Sequence, residues 1–432
     1  MIRASLYIPQ KFKAQVRFFA NKSFNMHHFW WIVISSVNIL VLCSVHNKIL
    51  NATLTMGNLC LAVLVRNEVI LHFLYNFAVE SSKVFEKTKY YINTSVHYIG
   101  GVHASAATWS FIWLCLDYDQ QFKSSNKGIL LTTASVLIIL MLVMILTAIP
   151  LFREYFHNSF EKIHRYVGWS CLAILNFYLV LSWFISNNQR ISVSDFFTDP
   201  IFLMLWLITG SIILPWVTVQ RFDNFIICCS SPKVAILTIP GEANLGTFAR
   251  ISTDFIEWHS FSVAGTSFNP QTGQSQIQLI IGSAGDWTRN LIEKVQAGSF
   301  PKYLWVRRVK PPGFMFSINA YSRVVVVATG AGIAPVLLYL EKTDKVYILW
   351  IGNNHQTTYG KKIWSLISKH PHLKIYDTGV LGRPNVSDLT IQAAKEFRAQ
   401  AVFCVSNRAI TKSVVSACLD KKIHAYGASW DS

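Results

Sequence analysis

The chain has 432 residues, 52% hydrophobic and only 14% charged, with 39 Lys and Arg against 22 Asp and Glu for a net charge of +17. Soluble domains carry about 25% charged residues, so this composition, with a mean hydropathy of +0.35, excludes an ordinary soluble protein and places part of the chain in lipid. Eight cysteines with no Cys-x-x-Cys spacing exclude a disulfide framework, and the lack of a basic helix or zinc-ligand spacing excludes nucleic acid as the partner of all that charge.

Residues 1–25 form a basic arm with Arg3, Lys11, Lys13, Arg17 and Lys22. Six apolar segments of about bilayer length follow, near 28–46, 54–79, 95–116, 129–150, 163–186 and 201–219. Lys83, Lys87, Lys89, Arg153, Lys162 and Arg165 fall on one side of this series together with the arm. Lys48, Lys123, Lys127 and Arg190 fall on the other. The positive-inside bias predicts a multi-pass protein with both termini cytosolic, in the plasma membrane or endoplasmic reticulum, with membrane lipids as its surroundings.

Segment two carries Arg66, Glu68 and His72, costly inside a bilayer unless paired or facing a polar cavity. They read either as a counter-charge or pocket wall for a cofactor or hydrophobic metabolite, or as a self-satisfied network. Segments three and five begin with His97-Tyr-Ile-Gly-Gly-Val-His103 and His164-Arg-Tyr. A histidine on each of two neighbouring helices can ligate one haem iron from both sides. His97 and His103 lie about 9 Å apart along a helix axis and out of phase, so one iron takes only one of them. His103 with His164 is the favoured pair and His97 the alternative; the competing reading is two hydrogen-bonded interfacial histidines.

Beyond residue 220 the pattern is globular. Short strands are predicted at 233–239, 246–253, 259–264, 276–282 and 302–309, separated by turn residues, which suggests a small antiparallel barrel. Ile281-Gly-Ser-Ala-Gly285-Asp-Trp287-Thr288 runs from a strand through glycines into a helix, a place for a phosphate. Val324-Val-Val-Val-Ala-Thr-Gly330-Ala-Gly332-Ile-Ala-Pro335 does the same, after a strand fit for burial on both faces. Strands at 345–352, 373–377 and 401–405 then alternate with helices, which predicts a doubly wound parallel sheet.

In this order, six apolar segments, His259-Ser-Phe-Ser262, Gly285-Asp-Trp-Thr288, Gly330-x-Gly-x-x-Pro335 and Gly382-Arg-Pro-Asn385 resemble the ferric reductase/NADPH oxidase superfamily. Within it the chain is most similar to the TmpA-like membrane flavoproteins of fungi, through Gly-Gly-Val-His103, Arg66-Asn-Glu68 and the ending His424-Ala-Tyr-Gly-Ala-Ser-Trp-Asp-Ser. The resemblance implies a multi-domain membrane protein: a six-helix transmembrane bundle (26–220), then a cytosolic module similar to the ferredoxin–NADP reductase fold. That module would comprise an FAD-binding antiparallel β-barrel (221–315) and an NAD(P)-binding doubly wound α/β domain (316–432).

By the same resemblance, His259, Phe261 and Ser262 hold FAD, with Ser262 near the reactive flavin nitrogen. Gly285, Trp287 and Thr288 hold its pyrophosphate. Gly330, Gly332 and Pro335 hold the nicotinamide nucleotide. Arg383 reaches its ribose or 2′-phosphate, which favours NADPH and leaves NADH open. Trp430 covers the flavin, so that Ser262 and Trp430 are the residues nearest the chemistry. The expected activity is NAD(P)H-dependent reduction of FAD, serving an unidentified electron acceptor or hydrophobic metabolite at the membrane.

Three departures qualify this. Ser260 stands where the superfamily has proline. Cys404-Val-Ser-Asn407 replaces its Cys-Gly-Pro, so Cys404 is not assigned a catalytic role. No second histidine follows His97, His103 or His164 by 13 or 14 residues, so at most one haem b fits, not a two-haem relay. The alternatives are therefore a single-haem, ferric-reductase-like carrier or a regulatory protein that binds flavin and nucleotide without turnover.

Overall fold

The computed structural model describes residues 26–44, 48–122, 128–186 and 193–428. The basic arm and Trp430 lie outside these residues. By compactness the chain divides into two units, one covering Tyr98–Ile208 and the described residues up to Val65, the other Arg66–His97 with the described residues from Thr209.

The first unit is helical: α1 (Met26–Ser44), α2 (Lys48–Leu64), a helix at Gly100–Phe122, and longer apolar helices at Gly128–Ala148, His157–Ser186 and, in its first half, Pro200–Val217. Between α2 and the next of these come α3 (Glu68–Val84) and α4 (Lys89–His97), which belong to the second unit. The remaining four are therefore α5, α6, α7 and α8. Polar side chains inside the first unit are spent on one another. Asn38 and Asn58 exchange amide hydrogen bonds at 3.1 and 2.8 Å, Trp113 Nε1 donates to Asn38 Oδ1 at 2.8 Å, and Trp109 Nε1 donates to Ser35 Oγ at 3.0 Å. Such bonds tie α1, α2 and α5 together. The outward side chains of α6 (Ile129, Val136, Ile139, Leu142 and Leu146) are apolar and exposed.

The six expected spans are not six continuous helices. Among the described residues four helices are long and apolar enough to cross a membrane, or up to six if each of two broken pairs counts as one span. The run expected at 54–79 breaks because Asn67 is a helix cap. Its Oδ1 accepts from the amides of Val69 at 2.9 Å and Ile70 at 3.4 Å, and Glu68 follows in the first turn, where the helix dipole favours an acid. The run expected at 95–116 breaks between His97 and Gly100. A side chain at Gly101 would meet the backbone carbonyl of His27, so α5 packs against α1 only as glycine there.

The second unit holds two sheets. The antiparallel one has seven strands: β1 (Val219–Phe222), β2 (Ile226–Ser231), β3 (Val234–Pro240), β4 (Phe248–Ser252), β5 (His259–Asn269), β6 (Gln274–Gly282) and β7 (Leu304–Arg307). They pair in the order β1-β7-β4-β5-β6-β3-β2, so β1 and β2 are edges and the described pairing does not close into the expected barrel. The sheet still wraps one core, in which Leu237, Ile239, Ile251, Val263, Leu279 and Leu304 are buried. The parallel sheet comprises β8 (Val324–Thr329), β9 (Val346–Gly352), β10 (Leu373–Asp377), β11 (Ala401–Val405) and β12 (His424–Gly427), in the order β10-β9-β8-β11-β12. Val324 to Val327 are fully buried, as four β-branched residues in a doubly covered strand should be. Helices α9 (Asp286–Gln296), α10 (His355–Ile367), α11 (Val386–Glu396) and α12 (Arg408–Asp420) are the longer helices that accompany the sheets. The hydroxyls of Ser230 and Ser231 on β2 donate to the carbonyls of Tyr359 and Thr358 on α10, fastening one sheet to the other.

Helices α3 and α4 join this unit through charge and packing. The Glu68 carboxylate pairs with Arg250 on β4 and, at 3.3 Å, with Arg307 on β7. Arg307 also lies over the rings of Trp216 and Trp258, at 5.3 and 5.0 Å. The Arg66–Glu68–His72 group is thus split. Glu68 serves the arginines, while His72 Nδ1 lies 3.2 Å from Asn76 Nδ2 and its ring faces Phe316. Tyr75, Ala78, Val79 and Val96 form a small core with Phe316.

Breaking a buried ion pair from one side strands the other charge and costs about 3–5 kcal/mol, whereas replacing both partners by apolar groups is often neutral. Glu68→Ala should destabilise the second unit by roughly 3 kcal/mol, and Glu68→Leu with Arg250→Met and Arg307→Met should recover most of that loss. Labelling of the fully buried Cys404 and Cys418 in a denaturant series reads this opening. Burial also holds the His355 and His370 rings below the usual histidine pKa. The unfolded chain then takes up protons first as pH falls below about 6.5, so stability present at neutral pH is lost progressively toward the folded-state values. Each histidine contributes at most about 1.4 kcal/mol per pH unit. The same assay from pH 7.5 to 5 should show falling stability, and His355→Gln should flatten the slope.

Candidate functional site

In the parallel sheet the chain steps from β8 outward to β9 and β10, then returns to the other side of β8 for β11 and β12. The carboxyl ends of β8 and β11 therefore mark a topological switch point, where open α/β sheets leave a crevice for ligands. Thr329-Gly330-Ala331-Gly332 leaves β8 there, and Ser406-Asn407 leaves β11. Thr329 Oγ1 and Ser406 Oγ lie 2.6 Å apart and join the two strand ends. Asn407 caps α12 by accepting from the Ile410 amide at 3.0 Å.

Gly330 has φ +56°, and its carbonyl accepts from Trp350 Nε1 at 3.1 Å. Gly332 is required by packing, because a Cβ there would meet the carbonyl of Val405. The segment Gly330–Tyr339 coils as a 3-10 helix, where an α-helical start was expected. Pro335 lies inside it with no amide hydrogen to lose.

The second glycine turn lies close by. A Cβ at Gly282, the last residue of β6, would come within 2.8 Å of Ala331 Cβ. This contact brings the turn before α9 against the turn after β8, so the two phosphate-type sites read from the sequence adjoin. At the first, the Thr288 hydroxyl accepts from the amides of Ala284 at 3.1 Å and Gly285 at 3.0 Å and donates to the Gly285 carbonyl. Thr288 therefore shapes the turn, and the amides of the first helical residues point outward from the helix start. Beside them His259 stacks on Trp287 with ring centroids 4.1 Å apart, and Phe261 lies 6.0 Å from Trp287. His259 Nε2 is 2.9 Å from Glu257 Oε1. Ser262 is half-buried on β5, opposite Phe248 of β4. The chemistry of these residues, stacked aromatic rings next to helix-start amides and small residues, fits a planar, phosphate-bearing group.

At the outer edge of the parallel sheet, Asp377 on β10 stands level with Gly352 on β9. Its carboxylate accepts from the Gly379 amide at 2.8 Å and from the Asn354 amide, and these bonds hold its pKa below the usual carboxylate range. The acid beside the loop after β9 thus comes from the next strand. Arg383 is exposed in the loop after β10. Cys404 is fully buried beside Thr411 Oγ1 at 3.9 Å, and burial pushes its thiol up to about 12. That agrees with leaving it out of the chemistry.

In the helical unit, the rings of His103 and His164 lie 6.3 Å apart between centroids. His103 Nδ1 is 2.8 Å from the Ala62 carbonyl, which fixes this ring by its Nδ1 edge. His97 belongs to the other unit, where its ring lies 6.0 Å from Phe314.

A family model described as "Adenylate-forming reductase 03009, C-terminal domain" matches residues 314–432. Adenylate-forming reductase 03009 of Coprinopsis cinerea is 31% identical over 393 residues, covering 88% of this chain and 37% of that protein. Adenylate-forming reductase 06235 of the same organism is 30% identical over 390 residues, with the same coverage. The chain thus spans 37% of the length of these curated relatives. Among solved structures, the chain is similar to the ferredoxin reductase in carbazole 1,9a-dioxygenase at 14% identity, covering 49% of this chain and 70% of that one with a TM-score of 0.37. It is also similar to the Amycolatopsis cytochrome P450 reductase GcoB at 10% identity, covering 50% and 71% with a TM-score of 0.36. Ferredoxin-NADP+ reductase from Plasmodium falciparum with 2′P-AMP aligns at 13% identity over 49% and 94%, with a TM-score of 0.35.

Proposed function

We propose that this chain is a membrane-bound, flavin-dependent oxidoreductase that takes reducing equivalents from NAD(P)H and passes them to an acceptor at or in the membrane. The observation that carries this reading is the contact between Gly282 and Ala331, which sets two glycine turns side by side at the switch point of the parallel sheet. One turn suits each of two phosphate-bearing cofactors. The name reductase borne by the curated relatives supports the same class, and the apolar helices support the membrane.

Bound FAD would supply the step between hydride and single-electron chemistry. The chain's own residues bind and orient. His259, Phe261 and Trp287 flank the flavin side, and the Ser262 hydroxyl offers a hydrogen bond to the ring. The amides at the start of α9, with Gly285 leaving the approach open, take the flavin's phosphates. Gly330 and Gly332 take those of the nicotinamide nucleotide. Arg383 and Asp377 compete at the ribose end: the cation favours a 2′-phosphate, the anion favours free hydroxyls. Trp430, outside the described residues, keeps the flavin-covering role that the resemblance implies.

A second reading makes the acceptor one haem between His103 and His164. These two histidines, whose rings lie 6.3 Å apart between centroids, would hold the group, and it would supply single-electron transfer.

An absorption spectrum of the detergent-purified chain tests both. A flavin spectrum that bleaches on anaerobic addition of NADPH is the expected result; a chain that purifies without flavin would sink the proposal. Arg383→Ala should raise KM for NADPH about tenfold or more with kcat unchanged, and Asp377→Asn should shift preference from NADH toward NADPH. A Soret band that disappears in His103→Ala would establish the haem reading, and its absence from the parent chain would remove it.

A further inference from the structure

Helix α3 buries one face within the second unit, through Glu68, Tyr75, Ala78, Val79 and Ser82. Its other face is apolar and open. Val69 is 50% exposed, Phe73 65%, Phe77 62% and Val84 76%. At 100° per residue these four lie within about 80° of arc, and the rings of Phe73 and Phe77 stack at 6.4 Å. A stripe of this kind on a soluble surface has no reason to persist.

The sequence around it says what covers the stripe. Only residues 65–67 separate α3 from α2, and only residues 98–99 separate α4 from α5. A three-residue linker reaches no more than about 10 Å, so the α3–α4 pair is joined at both ends, by short links, to segments that the sequence reads as membrane-spanning. The same face argues against a deep span. Glu80 lies in the apolar sector, exposed and bridged to Lys83 at 2.6 Å, and Lys87 follows directly. Charges of this kind belong at headgroup level, with aromatic and aliphatic side chains just below.

We propose that α3 is an in-plane membrane-surface helix. Val69, Phe73, Phe77 and Val84 enter the boundary between headgroups and acyl chains, while Glu68 holds the opposite face to the sheets. The lipid surface is then a docking partner of the flavin and nucleotide unit itself. This inference rests on the membrane reading of the α2 and α5 helices and goes beyond it, because the run at 54–79 read from sequence as a single crossing.

The test is a depth measurement on the full chain in vesicles of phosphatidylcholine and phosphatidylserine. A small fluorescent amino acid is placed in turn at the positions of Val69, Phe73, Phe77 and Val84, with controls at Ile139 and Leu142 on α6. Lipids carry a nitroxide either near the headgroup or near the chain terminus. The expected result is equal quenching of all four α3 sites by the shallow nitroxide and several-fold weaker quenching by the deep one. A steady change of depth from position 69 to position 84 makes α3 a crossing helix and overturns the proposal. Quenching by aqueous iodide alone overturns it as well. Deep quenching at the α6 controls shows that the membrane reading stands when α3 fails; its loss there overturns both. Each labelled protein is accepted as folded when Cys404 stays closed to maleimide.

Discussion

One buried carboxylate organises the second unit. Glu68 sits on α3, 6% exposed at its side chain, and two arginines from strands far along the chain converge on it. A lone carboxylate at that burial would be expensive, and so would a lone Arg307 at 12% exposure. Each therefore requires the other. Arg307 is further confined by the indole faces of Trp216 and Trp258, which favour a guanidinium more than an ammonium. An ion pair of this kind adds little net stability over an apolar pair of equal volume, but it penalises every arrangement in which α3 leaves the sheets. It acts as a register device: residues 66–97, embedded in sequence among apolar helices, are committed to the unit that holds the glycine turns.

The first unit answers the same constraint with neutral groups. Asn38, Asn58, Ser35 and Ser105 are buried polar side chains on apolar helices, and each finds its partner on a neighbouring helix. Between uniformly apolar helix faces, small residues and such hydrogen bonds set who packs with whom. Gly101 belongs to this logic: it lets α5 approach the α1 backbone at His27 more closely than any side chain would allow.

What the sequence disclosed follows from which signals are local. Strand β8 was legible because four β-branched residues before a glycine turn are decisive by themselves. Strands β3 to β7 were legible because their turn residues lie at hairpin spacing. The edge strands β1 and β2 were missed because Ile226-Ile-Cys-Cys-Ser-Ser follows an apolar helix and lacks alternation. Strand β12 has only four residues, His424–Gly427, and is defined by pairing with β11. The break at Asn67 was hidden because Arg66-Asn67-Glu68 is short and flanked by apolar runs. Its cap is plain only when read as a helix start, and the partners of Glu68 lie 182 and 239 residues away. The Asp377 carboxylate was missed for a related reason, since parallel register alone puts it beside Gly352.

The glycines themselves divide into two kinds, and the division changes what they say about the site. Gly332 is explained without any ligand, because Val405 occupies the space a side chain would need. Gly282 is likewise explained by Ala331. Gly285 is different: nothing lies within 4 Å of a Cβ built there, and its φ of −144° is open to any residue. Gly285 is the N-cap of α9, a position that itself favours glycine, and no side chain there narrows the approach to the helix-start amides. The packing glycines bring the two turns together, and the unforced one leaves the start of α9 without a side chain over it.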